Sequence, residues 1–427
     1  MEPQQVIEVL DGWNFWTKDQ DIGIERKEYR TIIERLHRTS QIVVLTGVRR
    51  SGKSTLLKQY IHFLIRQGMD RKDCLYINFE EPKFIGQLSL DFLQQSYEAY
   101  REIVQPKGKP AIFLDEVQLI PGWEKFVRGI HEKNEAAVFV SGSSATLLSS
   151  EFATVLTGRH VDLKVFPLRF REFLNFKNVT ISSQLDLLAH KPRIRQLLWE
   201  YLEYGGFPLV VLKEEKKEIL TAYFDDILTK DVAERHHIKK TAKLKSLATF
   251  YLSNASSLAS FRKIKDFLGL SLDSVERFSS YLQEAYIVFL MNKFSYSLKE
   301  QEVNPKKAYG IDNGLKNIMS FRFRENIGQL YENTIFLELL QRGKELYYWK
   351  GKGECDFVIK EGQKIIAAIQ VSYLLTTRKE QEVQSLLEAL EEFKLNEGLI
   401  ITGEYEGREQ RGNKSIVYIP LWKWLLA

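Results

Sequence analysis

Four short apolar runs, at 42–46 (IVVLT), 74–79 (CLYINF), 111–116 (AIFLDE) and 137–142 (AVFVSG), punctuate the first 165 residues. Each is bounded by polar, glycine or proline positions. Between them lie stretches with apolar residues at helical spacing, the clearest being STLLKQYIHFLIRQG, which Gly68 stops. Runs that are apolar throughout, rather than alternating, suit strands covered on both faces. The pattern therefore predicts an α/β unit on a buried parallel sheet.

Beyond Pro167 the β-branched runs give way to helical segments such as RIRQLLWEYLEYGG and KEILTAYFDDILTKDVAERHH, punctuated by Gly205, Gly206 and Pro208. From about Ser257, two short amphipathic helices meet at Gly269 and an apolar run follows from Tyr286, the pattern of a winged helix-turn-helix. The last hundred residues read helix (YENTIFLELLQRG), three strands (LYYWK, CDFVIK, IIAAIQVSY), helix (QEVQSLLEALEEFK) and strand (GLIIT), a second and smaller α/β unit. The expected division is an N-terminal helical segment (1–35), the α/β core (36–166), a helical lid (167–245), the winged helix (246–318) and the C-terminal unit (319–427).

Composition narrows the classes. At 427 residues, with 44% hydrophobic and 27% charged positions, the chain has material for several cores and is neither disordered nor collagen-like. The 61 Lys and Arg against 56 Asp and Glu leave +5, which permits nucleic-acid contact without arguing for it. Cys74 and Cys355 lie far apart and form neither a disulfide framework nor a metal-ligand set. With no signal-like N-terminus and no stretch near the ~18 apolar residues of a membrane span, the expectation is a cytoplasmic protein without a membrane partner.

The strand–helix junction carries the chemistry. Gly47 through Ser54 (GVRRSGKS) fits G-x-x-x-x-G-K-[ST] between a β-branched strand and an amphipathic helix. Glycines let successive N–H groups and the helix N-terminus face phosphate oxygens, Lys53 brings a cation to the β- and γ-phosphates, and the Ser54 hydroxyl can ligate Mg²⁺. Gly47, Arg50, Ser51, Gly52, Lys53 and Ser54 thus form a candidate ATP-binding set; Thr55, adjoining them, reads as helix more than ligand. Asp115 and Glu116 end the third apolar run, where Asp115 would hold Mg²⁺ through water and Glu116 would orient or deprotonate the attacking water. Ser141 and Ser143 end the fourth run, and either could sense the γ-phosphate. Arg159 could supply a cation to the γ-phosphate, in cis or across a subunit interface of an oligomer. The expected catalytic set is Glu116, Lys53 and Arg159.

The segments TGVRRSGKSTLL, INFEEP, AIFLDEVQLIPGWEKFVRGIH, FVSGSSATLLSS and LTGRHVDLKVFPLRFREFL, with YLEYGGFPLVV, DDILTKDV and YENTIFLELL further on, resemble the prokaryotic and archaeal-type AAA ATPases that carry a C-terminal domain of unknown function. The resemblance covers nearly the whole chain. It implies a P-loop NTPase core with an AAA-type parallel sheet, a helical lid, a winged helix and a small C-terminal α/β domain similar to restriction endonucleases.

Two of those modules depart from the chemistry their resemblance implies. On the segment SLDSVERFSSYLQ, Val275, Phe278 and Leu282 form the expected buried stripe and leave Arg277 as the one outward cation, a poor endowment for reading phosphates or guanines. The C-terminal unit resembles the PD-(D/E)xK nucleases, with Glu332 as the helix acid and Asp356 as the strand acid. The triplet that should be E-x-K stands instead as Gln370-Val371-Ser372, an amide for a metal-binding acid and a hydroxyl for an ammonium. Glu332, Asp356, Gln370 and Ser372 therefore read as a degenerate nuclease-like site. His236 and His237 are adjacent, without metal-ligand spacing.

The leading functional expectation is Mg²⁺-dependent ATP binding and hydrolysis that controls the winged-helix and nuclease-like modules, with DNA or a protein as candidate partner. The alternatives are a nucleotide-gated protein-binding switch with negligible turnover and, last, an ATP-controlled nuclease.

Overall fold

A computed structural model of the chain describes residues 1–143, 155–320, 327–375 and 379–427. They form two compact units, 1–165 and 166–427.

The first unit is built on five strands, β1 (Ile42–Thr46), β2 (Cys74–Asn78), β3 (Ala111–Asp115), β4 (Ala137–Gly142) and β5 (His160–Lys164), in the order β2-β3-β4-β1-β5. Every pairing is parallel. Successive side chains alternate between two cores: Ile42 and Val44 face Val6, Leu10, Leu93 and Val127, while Val43 and Leu45 face Tyr29, Ile33, Leu57 and Tyr60. Helices α1 (Pro3–Asp11), α4 (Leu90–Ala99) and α5 (Trp123–Glu132) thus cover one face, and α2 (Lys27–His37) and α3 (Lys53–Arg66) the other. Covering on both faces is why these strands read as unbroken apolar runs. The edge strand β2 is closed by a side chain: Asn14 Oδ1 accepts from Tyr76 N at 2.7 Å, and its Nδ2 donates to Tyr76 O at 2.9 Å.

The second unit contains two sheets. Strands β6 (Ser257–Ala259), β7 (Val288–Met291) and β8 (Lys306–Gly310) form an antiparallel sheet ordered β6-β8-β7, beside the helices Phe261–Leu268 and Leu272–Glu284. Val275, Phe278 and Leu282 are buried on the second helix. Strands β9 (Glu345–Lys350), β10 (Glu354–Glu361), β11 (Lys364–Ser372), β12 (Glu397–Thr402), β13 (Gly407–Arg411) and β14 (Lys414–Pro420) form a mixed sheet ordered β13-β14-β12-β11-β10-β9. Its centre, β11-β12-β14, is parallel and its flanks are antiparallel.

The sheet divides two cores. Helix Lys379–Glu392 covers one face through Val383, Leu386 and Leu390, against Val358, Ile400 and Ile416. On the other face Ile335 and Phe336 of the helix Ile327–Gln341 meet Phe357, Ile369 and Ile401, and Ile194, Leu197 and Leu202 of the helix Lys191–Tyr204 join the same cluster. The apolar face of the helix Lys191–Tyr204, within the expected lid segment, is thus buried in the core of the C-terminal sheet. Among the described residues no helix is long and apolar enough to cross a membrane.

Candidate functional site

The phosphate loop leaves the C-terminal end of β1 at the sheet centre, with β4 on one side and β5 on the other. Gly47 has φ +144°, and a Cβ there would stand 2.1 Å from the carbonyl oxygen of Val165, so a side chain at this first loop position would displace backbone. Gly52, at φ +100°, turns the chain into α3, which starts at Lys53. The Lys53 ammonium folds back over the loop, donating to the carbonyls of Gly47 at 3.0 Å and Val48 at 3.3 Å. Inside the turn the Ser51 hydroxyl is fully buried without a hydrogen-bond partner. Buried polar atoms are rarely left so, and an orphan oxygen in a loop of N–H donors and a lysine fits an anionic ligand. Ser54 and Thr55 occupy the first turn of α3 and are partly exposed. Arg50 sits in the loop at φ +69°. A further contact comes from outside: the buried Arg26 donates from its guanidinium to the Ser51 carbonyl at 2.9 Å.

Asp115 is the last residue of β3, and the pairing of Leu114 with Val140 places it beside Ser141 of β4. Ser141 donates to Asp115 Oδ1. On the other side Tyr76 of β2 donates to Asp115 Oδ2 at 2.6 Å. Burial first, then the Asp115 carboxylate, hold the Tyr76 phenol well above its ordinary range, so it stays a donor. Both carboxylate oxygens are thus oriented by donors that do not reach the loop themselves.

Glu116 stands just beyond the strand with a left-handed backbone, φ +54°, a conformation costing about 1–3 kcal/mol for a residue with a side chain. Its N–H donates to Ser141 Oγ at 3.3 Å and its carboxylate accepts from Gln118 Nε2 at 2.5 Å. Burial raises the Glu116 pKa, with the Lys53 ammonium opposing and Asp115 adding to the rise. A buried acid with a lysine nearby has the environment of a proton acceptor.

Ser141 binds the Asp115–Glu116 pair, and Ser143 lies buried just past the end of β4. Arg159 is not brought to the site. Its carbonyl accepts from Ile42 N, at the N-terminal end of the parallel sheet. Four residues at ~3.3 Å each put it about 13 Å from the end of β1 where the loop begins. Its side chain pairs with Glu132 at 3.0 Å. The reading of Arg159 as a cation acting in cis on the γ-phosphate is therefore corrected by the direction of β5.

In the second unit, Glu332 and Asp356 are brought together, but by a residue the sequence reading did not single out. The Lys307 ammonium, from β8, lies 3.0 Å from Glu332 Oε1, 2.9 Å from Asp356 Oδ1 and 2.9 Å from Glu354 Oε1. Tyr309 donates to Glu332 Oε1 at 2.8 Å. Gln370 and Ser372 take no part: the Gln370 amide bridges Asp356 N and Glu382, and Ser372 donates to the Leu374 carbonyl. Among the described residues no group of three or more His, Cys, Asp or Glu is disposed to hold a metal ion.

Known proteins show similar chains. Residues 39–174 match a family described as an AAA domain, 195–326 a domain of unknown function (DUF8612) and 327–424 a domain of unknown function (DUF4143). The uncharacterized protein MJ1544 of Methanocaldococcus jannaschii is 36% identical over 91% of this chain and 89% of its own. An uncharacterized protein of Haemophilus influenzae is 31% identical over 93% of this chain and 98% of its own. Among solved structures, the Walker-type ATPase PABY2304 of Pyrococcus abyssi matches with a TM-score of 0.45 and 13% identity, over 72% of this chain and 99% of that one. With 36% identity held along nearly its full length and an AAA domain over its α/β core, the chain belongs to the family of AAA-domain proteins that includes MJ1544, and its first unit is a P-loop, nucleotide-binding ATPase core.

Proposed function

We propose that the chain is a Mg²⁺-dependent ATPase whose nucleotide state controls its second unit. The observation that carries the reading is the Asp115–Glu116 pair at the end of β3, one residue fixed by Tyr76 and Ser141 and the next buried and raised in pKa. In this reading Lys53 exchanges its bonds to the Gly47 and Val48 carbonyls for the β- and γ-phosphate oxygens, while Gly47, Arg50, Ser51 and Gly52 present the loop backbone and the Ser51 hydroxyl to the phosphates. Ser54 and Asp115 would hold Mg²⁺, which would neutralise charge on the β- and γ-phosphates. Glu116 takes the proton of the attacking water or orients it. Thr55 acts as helix, and Ser143 is left as a candidate γ-phosphate sensor.

The finer assignments concern the second unit. Three helices with a three-stranded antiparallel sheet support a winged helix at 246–318. The order helix, three antiparallel strands, helix, parallel strand supports a restriction-endonuclease-like fold at 319–427. A protein partner is favoured over DNA, because Arg277 is paired with Asp273 on its own helix and residues 319–427 carry 15 Lys and Arg against 16 Asp and Glu.

The purified chain tests both levels. ATP hydrolysis should be lost in Lys53→Ala and in Glu116→Gln, the latter keeping ATP affinity; an unchanged rate in either removes the site assignment. Single- or double-stranded DNA should leave the rate unaltered, and strong stimulation would reverse the choice of partner.

A further inference from the structure

Glu354 and Asp356 of β10 and Glu332 of the helix Ile327–Gln341 turn three buried or half-buried carboxylates to one point. Here that point is taken by a nitrogen. We propose that the Lys307 ammonium is the resident cation of the Glu332–Glu354–Asp356 pocket, so that this module neither needs nor admits a metal, and that removing the ammonium converts the pocket into a divalent-cation site.

The hydrogen-bond count supports this. An ammonium has three donors, and Lys307 spends them on three carboxylates at 2.9–3.0 Å. The acceptors are engaged as well: Glu332 Oε1 also accepts from Tyr309 and Asp356 Oδ2 from the N–H of Val371 at 3.0 Å. A metal would therefore have to expel a cation that has no water to retreat into, since Lys307 is 3% exposed. Burial alone would lower the Lys307 pKa, but Asp356, Glu332, Tyr309 and Glu354 together raise it well above the ordinary value, so the side chain stays charged. Glu332 is pushed up to about 7 by burial against the pull of Lys307, which moderates the negative charge of the group. Gln370 and Ser372 do not restore a metal-binding set, as their side chains turn to Asp356 N, Glu382 and the Leu374 carbonyl.

The same bonds set the size of the pocket. Oxygen atoms 2.9–3.0 Å from the central nitrogen are closer to the ~2.3–2.6 Å shell of Ca²⁺ than to the ~2.0–2.1 Å that Mg²⁺ demands. The pocket vacated by Lys307→Ala should thus prefer Ca²⁺ to Mg²⁺.

The experiment uses the full, nucleotide-free chain, with Mn²⁺ uptake followed by electron paramagnetic resonance and thermal melting followed with Ca²⁺. The wild type should take up no Mn²⁺ that Asp356→Asn removes, at concentrations to ~1 mM, where weak protein sites fill. Lys307→Ala and the neutral, ligating Lys307→Gln should each gain one Mn²⁺ per chain and a rise in melting temperature on adding Ca²⁺. Both gains should vanish when Asp356→Asn is added. A variant that folds only with Ca²⁺ present would also support the proposal. Wild-type Mn²⁺ binding that depends on Asp356 would overturn it, as would folded Lys307 variants that bind no ion; the wild-type arm decides even if neither variant folds.

Discussion

Tyr76 provides the sharpest test of how the first site is assembled. Its hydroxyl is one of two side-chain donors that fix Asp115, at 2.6 Å, and the ring is 1% exposed. Tyr76→Phe removes that donor and leaves the ring volume, so the β2 edge and its bonds to Asn14 should persist. A hydrogen bond to a carboxylate is worth about 1.5–3 kcal/mol, or roughly tenfold to a hundredfold in an equilibrium or rate. Because Ser141 still donates to the other oxygen, the loss should appear as slackened orientation rather than as a displaced side chain. Outer donors of this kind typically change metal affinity or turnover about 10–100-fold. The assay is steady-state ATP hydrolysis across a Mg²⁺ titration at saturating ATP, with melting as a control. The expected result is a Mg²⁺ midpoint or a kcat displaced by about tenfold or more, with a stability loss of about 1.5–3 kcal/mol. Adding Ser141→Ala should cost less or more than the sum of the single effects, since both act on one carboxylate. A Tyr76→Phe enzyme with wild-type kcat and Mg²⁺ midpoint would refute the reasoning, showing either that Asp115 is held by other means or that it does not serve the metal.

Four further outcomes follow from the same geometry. Glu116→Gln should cut turnover by about 10²–10⁴-fold, as loss of a general base does, while nucleotide affinity measured by calorimetry stays close to wild type. Because burial raises the Glu116 pKa, hydrolysis should fail on acidification while still above the ordinary carboxylate range, as the base becomes protonated; a pH profile whose acid limb lies at the unperturbed value would contradict the assignment. Arg159→Ala should leave the rate within about twofold, since its side chain pairs with Glu132 on the surface; a large loss would mean that a second copy presents the arginine. Asp312 is buried and pushed up to about 6 by burial, against hydrogen bonds from the N–H groups of Gly206, Leu315 and Gly314. The folded state therefore holds its proton more firmly than the unfolded chain, and the stability it contributes is full below about pH 4 and lost as pH rises through about 6. Relative to Asp312→Asn, the wild type should lose on the order of 3 kcal/mol across that window in urea unfolding, and parallel pH curves would count against it.

What could be read from the sequence divides along physical lines. The loop and its flanks were legible because the signal is local: a β-branched run, glycines at fixed offsets and an amphipathic helix lie within 25 residues. Strand β14 was missed although its burial alternates residue by residue, since its partners β12 and β13 give no local cue. The place of Arg159 was not legible because nearness in sequence to a strand says nothing of which end of the sheet the strand enters; that depends on the parallel pairing of β5 with β1. Tyr76 lies 39 residues from Asp115, and only the order β2-β3 brings the phenol to the acid. The one clue was chemical, a hydroxyl inside an apolar run that must find a partner when buried. Lys307 is further from prediction still, as its partners stand 25 and 49 residues away on two other elements. The pair Lys306-Lys307 reads as solvated charge until strand alternation is seen to send the second lysine inward.

The two carboxylate centres, Asp115–Glu116 after β3 and Glu332–Glu354–Asp356 between a helix and β10, each lie near a lysine. In the first unit Lys53 is bound to neutral backbone carbonyls, at 3.0 and 3.3 Å, and the carboxylates are oriented by hydroxyl donors from Tyr76 and Ser141. Exchanging a carbonyl for a phosphate oxygen strengthens the bond that Lys53 makes. Negative charge on Asp115 has no ammonium bonded to it, so a divalent cation adds an attraction without displacing one. In the second unit the ammonium is itself the counter-charge, and withdrawing one partner from a buried ion pair costs about 3–5 kcal/mol. The first arrangement therefore gains by taking up an anion and a metal together, and the second loses by opening. The unit whose cation is bound by three carboxylates keeps its shape.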